Sequence, residues 1–405
     1  MIGLTYKYTP MKPSVLKNME NILGKEKINA YMDQIEDSLY IEDNNGRQII
    51  SGNYSNFKKE EFISGIPLGI KGKINNKGIF IFNDFIFYKN IFLNENENNF
   101  NNNNNKNNIF NTPPLNNTKK NNQEEKYILF ISNIKIGFPQ NEKGLNESIR
   151  TLLIEFIQNR NNINTVFKNF SNKIKKIILV GNSLNTEEKE YENKIINDNS
   201  RPSSQEIDKL ILDNYIVLNN FLNFISNYII IDLMPSSDTN DNLLYPQNPL
   251  NKLLFSENVK NINYHVLNLV SNPYFFKIKS KNENKFKYFI GTSGENIKII
   301  KQYSCYNNNI DIMKKNLEWR HLCPISPNYL NLYSFDNQTD PLLIQELPDV
   351  YFTSSNEIEF KYEKIIIDNK QIILMSLPDF SKTAKCVLYD YENDSYKIIE
   401  FNFKV

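Results

Sequence analysis

The chain has 405 residues, enough for two or three domains, and its 47 basic and 46 acidic side chains leave a net charge of +1. This charge provides no general attraction to nucleic acid or to an anionic membrane. An apolar content of 40%, with 27 Phe and 23 Tyr, excludes disorder of the whole chain, and no apolar run reaches the roughly 18 residues of a membrane span.

The first 93 residues have the pattern of a small all-β domain. Short β-branched and aromatic runs occur at 4–8, 49–50, 66–70 and 79–88, with turn residues between them. Glycines stand where such strands could bend, at Gly65, Gly69, Gly72 and Gly78. The pattern predicts an oligonucleotide-binding (OB) type barrel over residues 1–93. Because the chain begins almost inside its first predicted strand, we expect upstream sequence to be missing.

Residues 94–125 interrupt the folded pattern. About one residue in six of the whole chain is Asn, and the density is highest in this segment, which also contains Pro113 and Pro114. So polar a segment cannot bury enough apolar surface to offset the entropy of ordering. We predict a disordered insert; a prion-like interaction element is the alternative.

Residues 126–405 have the pattern of an α/β region. Continuous apolar runs at 127–131, 176–180 and 228–233 predict strands that are covered on both faces. Ser203 and Glu206 form a capping box ahead of a long amphipathic helix. Several further strands close the chain, so the pattern predicts a two-sheet α/β sandwich.

The residues that usually hold metals are scarce. The chain has only two histidines, His265 and His321, whereas two-metal hydrolytic sites generally depend on several imidazole ligands. The segment 181–185 follows a predicted buried strand, but it contains Asn182 and Asn185 where aspartates would bind a divalent cation. We therefore expect no active metal site there.

Two other motifs allow a functional and a structural interpretation. The segment 291–294 (GTSG) has the position of a phosphate cradle at a helix start, but it lacks the lysine and the spacing of a P-loop. Cys323 lies two residues after His321, as a nucleophile and its base could, yet a buried cysteine beside a structural histidine is the simpler interpretation. With Cys305 and Cys386, the cysteines show no Cys-x-x-Cys spacing, which favours a reducing compartment.

Ten short blocks, in order along the chain, resemble the small (second, regulatory) subunit family of eukaryotic DNA polymerase delta. The blocks are TYKYTPMKPSVL, YIEDNNGRQIISG, KKIILVGNSL, DLMPSSDTNDNLLYPQNPL, LVSNPYFFKI, FIGTSGENI, LEWRHLCPISPNYLNLYSF, TDPLL, PDVYFTSSN and LMSLPDFSKTAKCVL. The resemblance runs from residue 4 to the C-terminus apart from the Asn-rich segment. It covers about 370 residues, and we expect this sequence to lack the N-terminal extension usual in this family.

The resemblance implies a fold and the absence of chemistry. It implies an N-terminal OB-type barrel followed, over residues 126–405, by a calcineurin-like αββα phosphoesterase sandwich that has lost its metals. The family's metal-ligand motifs fall on Asn133, Lys135, Asn182, Asn185, Asp238, Ile290, Ser355 and Glu357. Two carboxylates near a lysine do not hold two divalent cations. The resemblance therefore implies no catalytic residue, no metal, no cofactor and no enzymatic activity.

The resemblance also implies partners and a cellular role. It implies a scaffold in the polymerase delta complex of the nucleus, acting in DNA replication and repair. The scaffold bridges the C-terminal metal-binding domain of the catalytic subunit and a third accessory subunit. Contact with DNA is expected to be indirect, and no membrane is involved. The candidate partner contacts are Arg320, His321, Pro324 and Pro327.

Two alternatives stay open at the level of the sequence. One is an active metal-dependent phosphodiesterase or nuclease, and the other is a module that binds single-stranded DNA through the barrel.

Overall fold

A computed structural model describes most of the chain outside the Asn-rich segment. The described residues are 1–12, 31–33, 35–52, 58–88, 126–137, 145–158, 170–184, 204–236, 244–255, 266–280, 285–326, 330 and 340–401. The predicted insert at 94–125 lies outside them. The described residues divide into two compact units, one within 1–109, 295–347 and 365–372, and the other within 110–294, 348–364 and 373–405.

The described residues form sixteen strands and five α-helices. The strands are β1 Ile2–Tyr8, β2 Ser38–Asp43, β3 Gly46–Gly52, β4 Pro67–Ile74, β5 Phe80–Phe87, β6 Tyr127–Ser132, β7 Ile174–Val180, β8 Ile230–Leu233, β9 Leu267–Leu269, β10 Tyr274–Lys279, β11 Phe286–Thr292, β12 Val350–Ser354, β13 Lys361–Ile367, β14 Lys370–Leu377, β15 Lys385–Asp390 and β16 Ser395–Glu400. The helices are α1 Leu145–Ile157, α2 Ser204–Ser226, α3 Glu295–Tyr303, α4 Asn309–Trp319 and α5 Phe380–Thr383. None of the described helices is long and apolar enough to cross a membrane.

The first five strands close into a barrel in the order β1-β2-β3-β5-β4. All neighbours in it are antiparallel except β3 and β5, and the register between β4 and β5 shifts at Lys71 and Gly72. Alternate side chains fill the interior, among them Leu39, Ile50, Leu68 and Phe82. This closed barrel confirms the predicted OB-type barrel. It forms because alternation with period two places one apolar face of each strand inward.

Helices α3 and α4 belong to the same compact unit as the barrel. The buried Lys7 on β1 reaches the last residue of α3, where its Nζ lies 3.0 Å from the carbonyl oxygen of Tyr303. The same Nζ lies 3.3 Å from the carboxylate of Asp37, and burial lowers the pKa of Lys7. Residues 295–347 thus pack with the barrel although they come from the predicted phosphoesterase region. A period-two or period-3.6 pattern states which face is buried but not which element covers it.

The second unit contains two stacked sheets. One has the order β16-β15-β6-β7-β8-β9, with parallel pairing from β6 to β9, and the other has the order β10-β11-β12-β14-β13. Their facing sides share one core, in which the rings of Phe130 and Phe352 lie 4.8 Å apart. Helices α1 and α2 cover the outer side of the first sheet through residues such as Leu153 and Leu222. This stacking brings the carboxyl ends of β6, β7 and β12 together.

Candidate functional site

The ends of β6, β7 and β12 form the place where the sequence predicts the vestigial metal positions. Ser132 ends β6 and Ser354 ends β12, and their hydroxyl oxygens lie 3.0 Å apart across the two sheets. Both side chains are buried. Carboxyl ends of parallel strands are where α/β sheets usually place ligands, so the chemistry of the residues that follow these strands determines what the site can do.

Asn133 connects the three strand ends. Its side-chain oxygen accepts a hydrogen bond from the backbone N–H of Asn182 at 2.9 Å and another from the Ser354 hydroxyl at 3.0 Å. Its side-chain nitrogen donates to the Ser355 carbonyl at 2.9 Å and to the Asn356 amide oxygen at 3.2 Å. All of these groups are neutral, and Asn133 is only 2% exposed. An amide suits this position because it both accepts and donates, which a carboxylate cannot do.

Gly181 makes room for this network. It has φ +77°, and a Cβ there would lie 2.4 Å from both the Asn133 Oδ1 and the Ser354 Oγ. A side chain at this position would therefore separate the groups that bond to each other. Asn133 itself has φ +52° and Lys135 has φ +45°, so the chain turns sharply after β6, and the Lys135 amide donates to the Asn182 carbonyl at 3.1 Å.

The described charges beside the network are already paired. Glu357 forms a 2.8 Å ion pair with Lys361. Asp379 is fully buried, accepts a 2.6 Å hydrogen bond from the Ser381 hydroxyl, and has Lys382 at 3.5 Å. Asp379 was not among the residues predicted from the sequence, where its one local signal is an acidic residue two positions after the apolar run of β14.

Of the other predicted metal positions, one has no ligand atom and two lie outside the described residues. Ile290 is a fully buried residue in the middle of β11, so it provides an aliphatic side chain and no ligand atom. Asn185 and Asp238 lie outside the described residues. The structure brings Asn133, Asn182 and Ser355 together and places Glu357 next to Ser355, whose hydroxyl accepts from the Glu357 amide at 3.0 Å.

The donor atoms at this site do not fit the two metals that the family resemblance implies for active members. Sites for two divalent cations need several carboxylate or imidazole ligands that are not already hydrogen-bonded to other groups. The oxygens at these strand ends belong instead to amide, hydroxyl and carbonyl groups that form hydrogen bonds with one another. Within the described ranges, no group of three or more His, Cys, Asp or Glu side chains could hold a metal ion. The described residues at these strand ends therefore offer no pair of metal sites for hydrolysis.

The predicted phosphate cradle at 291–294 is also used internally. The Ser293 amide donates to Asn272 at 3.1 Å, and its hydroxyl donates to the Pro235 carbonyl at 2.6 Å. The Thr292 hydroxyl donates to the Thr353 hydroxyl at 2.9 Å. Because these donors are engaged within the second unit, the geometry favours a structural start of α3 over an anion site.

The predicted partner-contact segment is mostly interior. Arg320 has φ +57° and ends α4, and its Nη2 lies 2.6 Å from Asp368. The Pro324 carbonyl packs against Gly65, where a Cβ would lie 1.8 Å from its oxygen. Arg320, His321 and Pro324 are buried, so each acts first on the conformation of this segment. Their contact with a partner stays a prediction, and Pro327 lies outside the described residues.

The side chain of His321 is also engaged within the first unit. Its Nδ1 accepts from the Cys323 amide at 3.0 Å, and its Nε2 lies 3.0 Å from Asp340. Burial raises the pKa of Asp340, but hydrogen bonds from His321 and from the Leu342 amide bring it below its usual range. Both ring nitrogens are thus occupied by groups other than the Cys323 thiol, so the geometry provides no base for a nucleophile.

We expect Cys323 to be unreactive in the folded chain. Burial raises its pKa to about 12, so the thiolate that reacts is scarce at pH 8. Iodoacetamide should label Cys323 at least about a hundredfold more slowly than the same thiol in urea, as measured by mass spectrometry of the digested chain. The partly exposed Cys305 provides the internal control and should react faster. Equal rates for folded and unfolded Cys323 would revive the nucleophile interpretation.

Comparison with known proteins gives a consistent result. The family model described as the DNA polymerase alpha/epsilon B subunit matches residues 128–362, and the model described as DNA polymerase delta subunit OB-fold domain matches residues 1–85. The chain is 25% identical to the DNA polymerase delta small subunit of Arabidopsis thaliana, over all of this chain and 82% of that protein. The small subunit of Oryza sativa subsp. japonica is 25% identical over 99% of this chain and 83% of its own length. The small subunit of Saccharomyces cerevisiae is 24% identical over 96% and 76%.

Proposed function

Because the chain belongs to the B-subunit family of DNA polymerases alpha and epsilon, we propose that it is the small, non-catalytic subunit of a DNA polymerase delta complex. It is an accessory subunit of a replicative polymerase, as the matched relatives are. In the complex it bridges the C-terminal metal-binding domain of the catalytic subunit and a third accessory subunit. This role places it in the nucleus, in DNA replication and repair, with DNA contacted through its partners.

We propose a domain assignment that goes with this role. The barrel spans residues 1–93, the linking segment 94–125, and a calcineurin-like phosphoesterase sandwich residues 126–405, of which 295–347 and 365–372 belong to the compact unit of the barrel. The family matches at 1–85 and 128–362 fall inside these bounds. Two stacked sheets whose strand ends meet at one point are the expected frame for such a sandwich.

One observation carries the non-catalytic part of the proposal. Where active relatives of the fold would need charged ligands, Asn133, Asn182, Ser354 and Ser355 satisfy one another through neutral hydrogen bonds. Such a network holds three strand ends together without a metal, which suits a rigid platform. The positions Lys135, Asn185, Asp238, Ile290 and Glu357 complete the proposed vestigial set.

Co-expression tests the complex directly. The full chain should co-purify at one-to-one stoichiometry with a polymerase delta catalytic subunit, and this association should require the C-terminal metal-binding domain of that subunit. A catalytic subunit lacking that domain is the matched control. Separate elution of the two full-length chains in size-exclusion chromatography would refute the proposal.

A second assay tests catalysis. We expect no hydrolysis of bis(p-nitrophenyl) phosphate or of single-stranded DNA in millimolar Mn²⁺, and less than one bound metal per chain in elemental analysis. Turnover accompanied by two metals per chain would instead support the phosphodiesterase alternative. Salt-dependent binding of single-stranded DNA by the isolated full chain would favour the alternative that the chain is a module that binds single-stranded DNA.

A further inference from the structure

A pocket in the first unit has the chemistry of a site for a cationic side chain. It lies beside the end of β5 and the end of α4 and has a volume of about 310 Å³. Its apolar lining is Phe85, Ile86, Phe87, Leu317 and Ile367, and its charged lining is Glu318, Asp368 and Arg320. All of these residues belong to the same compact unit. A smaller pocket of about 50 Å³ shares Phe85 and Phe87.

The aromatic wall is held in place by its neighbours. The rings of Phe85 and Phe87 lie 5.2 Å apart at 72°, and Phe62 packs 5.7 Å from Phe85. Beside them, Ile86 exposes 61% of its surface. An exposed aliphatic residue next to fixed aromatic faces is typical of a contact surface, and flat aromatic faces attract cations through their quadrupole.

The charges at the rim are not presented equally to solvent. The Asp368 side chain is 37% exposed, whereas Arg320, which lies 2.6 Å from it, is only 9% exposed. Glu318 is 38% exposed, and Lys315, 2.9 Å away, is 26% exposed. Each carboxylate is therefore more accessible than the cation with which it pairs, and a carboxylate can accept several hydrogen bonds at once. The charged surface that the pocket offers to a partner is therefore more acidic than basic, and it adjoins an apolar wall.

We propose that this pocket binds an arginine side chain from an extended segment of a partner subunit. A guanidinium can stack on the faces of Phe85 and Phe87 while it donates to Glu318 and Asp368, and an apolar neighbour of the arginine packs on Ile86. A nucleic-acid ligand would bring phosphates towards two carboxylates, which is unfavourable. The proposal rests on the proposed function only for the identity of the complex that supplies the segment.

Photo-cross-linking in the assembled complex tests the inference. The full chain carries p-benzoylphenylalanine in place of Ile86, the complex is purified and irradiated, and the cross-linked peptide is identified by mass spectrometry. We expect a peptide of another subunit that contains arginine. The Glu318→Lys substitution should lower its yield about tenfold or more, since it places a cation beside the guanidinium.

A second substitution on the same helix provides the control. Asp311 is 44% exposed and pairs with Lys314 three residues on, as Glu318 pairs with Lys315, so Asp311→Lys makes the same charge change away from the pocket. We expect its cross-link yield to stay within twofold of that of the unsubstituted chain. Replacing the identified arginine by glutamate should restore the yield of the Glu318→Lys chain.

Several results would overturn the inference. They are a cross-link within this chain or to a second copy of it, a partner peptide without arginine, equal effects of the two lysine substitutions, or no cross-link in an assembled complex. In each case the complex itself is present, so only this inference fails. Failure of the complex to assemble would instead refute the proposed function, and the inference with it.

Discussion

Replacing Asp232 by Asn is expected to lower the free energy of unfolding by about 3–5 kcal/mol, because it leaves a buried ammonium without its counter-charge. Asp232 on β8 is 1% exposed, and its carboxylate lies 2.6 Å from the Nζ of Lys176 on β7. Tyr274 donates to the same oxygen at 2.9 Å, and Asn268 donates to the other at 2.8 Å. Burial and this carboxylate raise the pKa of Tyr274 well above its usual value, so the phenol stays protonated as the donor.

Removing both charges should cost much less than removing one. In the Lys176→Met, Asp232→Asn double variant, the amide oxygen can still accept from Tyr274, and the Met side chain can pack on Phe276, whose ring lies 3.9 Å from the Lys176 Nζ. We expect the double variant to recover more than half of the lost free energy of unfolding. The measurement is urea unfolding of the full chain, with the unfolded fraction detected by its susceptibility to proteolysis.

A more exposed ion pair provides the control for this experiment. Glu357 and Lys361 pair at 2.8 Å with side chains 27% and 33% exposed, so Glu357→Gln should cost less than a third of the loss seen for Asp232→Asn. If the double variant is as unstable as the single one, the unpaired charge of Lys176 is not the cause of the lost free energy of unfolding.

Replacing Asn133 by Asp is expected to cost roughly 2–4 kcal/mol at neutral pH, although the two side chains have the same shape. The new carboxylate keeps its bonds from Asn182 and Ser354 but directs its second oxygen at the Ser355 carbonyl, where the amide nitrogen donated. Two hydrogen bonds become repulsive contacts in a position only 2% exposed. The substitution should also fail to create metal-dependent hydrolysis, because one carboxylate does not supply two metal sites.

The penalty should depend on pH with a defined sign. A buried carboxylate facing acceptors has a raised pKa in the folded chain, so the folded state holds its proton to a higher pH than the unfolded state, where the pKa is about 4. The stability difference from the unsubstituted chain is then smallest near pH 4 and grows as the pH rises to the folded-state pKa, above which it is constant. Thermal unfolding of both proteins between pH 4.5 and 8 measures the difference.

A neighbouring amide provides the matched substitution. Asn356 is exposed, and its amide oxygen accepts from Asn133, so Asn356→Asp keeps an acceptor where one is needed and leaves the new charge in solvent. We expect it to cost less than about 1 kcal/mol. If the two substitutions have equal effects, or if Asn133→Asp is neutral at pH 7, the hydrogen-bond assignment at the strand ends is wrong.

Two hydrogen-bond networks connect strands within the second unit. At the strand ends, amides and hydroxyls form hydrogen bonds between β6, β7 and β12. The ion pair of Lys176 and Asp232 joins the two sheets farther along β7 and β8, since Tyr274 belongs to the other sheet. A rigid unit presents its surface to partners with little entropy left to lose on binding.

Local patterns were sufficient for many of the elements, but not for the strand β2 or the helix α4. Alternation with period two predicted the barrel strands, and continuous apolar runs predicted β6, β7 and β8, because backbone geometry alone decides which side chains share a face. Asn182 was identified from its place after a predicted buried strand, whereas Asn133 was identified only through the family resemblance.

Packing alone decided which distant residues meet. No local pattern shows that Asn133 contacts Ser354 and Ser355 more than 200 positions away, that α3 and α4 pack with the barrel, or that Lys176 finds Asp232 in the core. Asp379 and the pocket at Phe85 and Phe87 were missed for the same reason. Short-range periodicity records the burial of each segment, whereas hydrogen-bond partners and concave surfaces depend on contacts between segments, whose pairing is settled by the free energy of the whole fold.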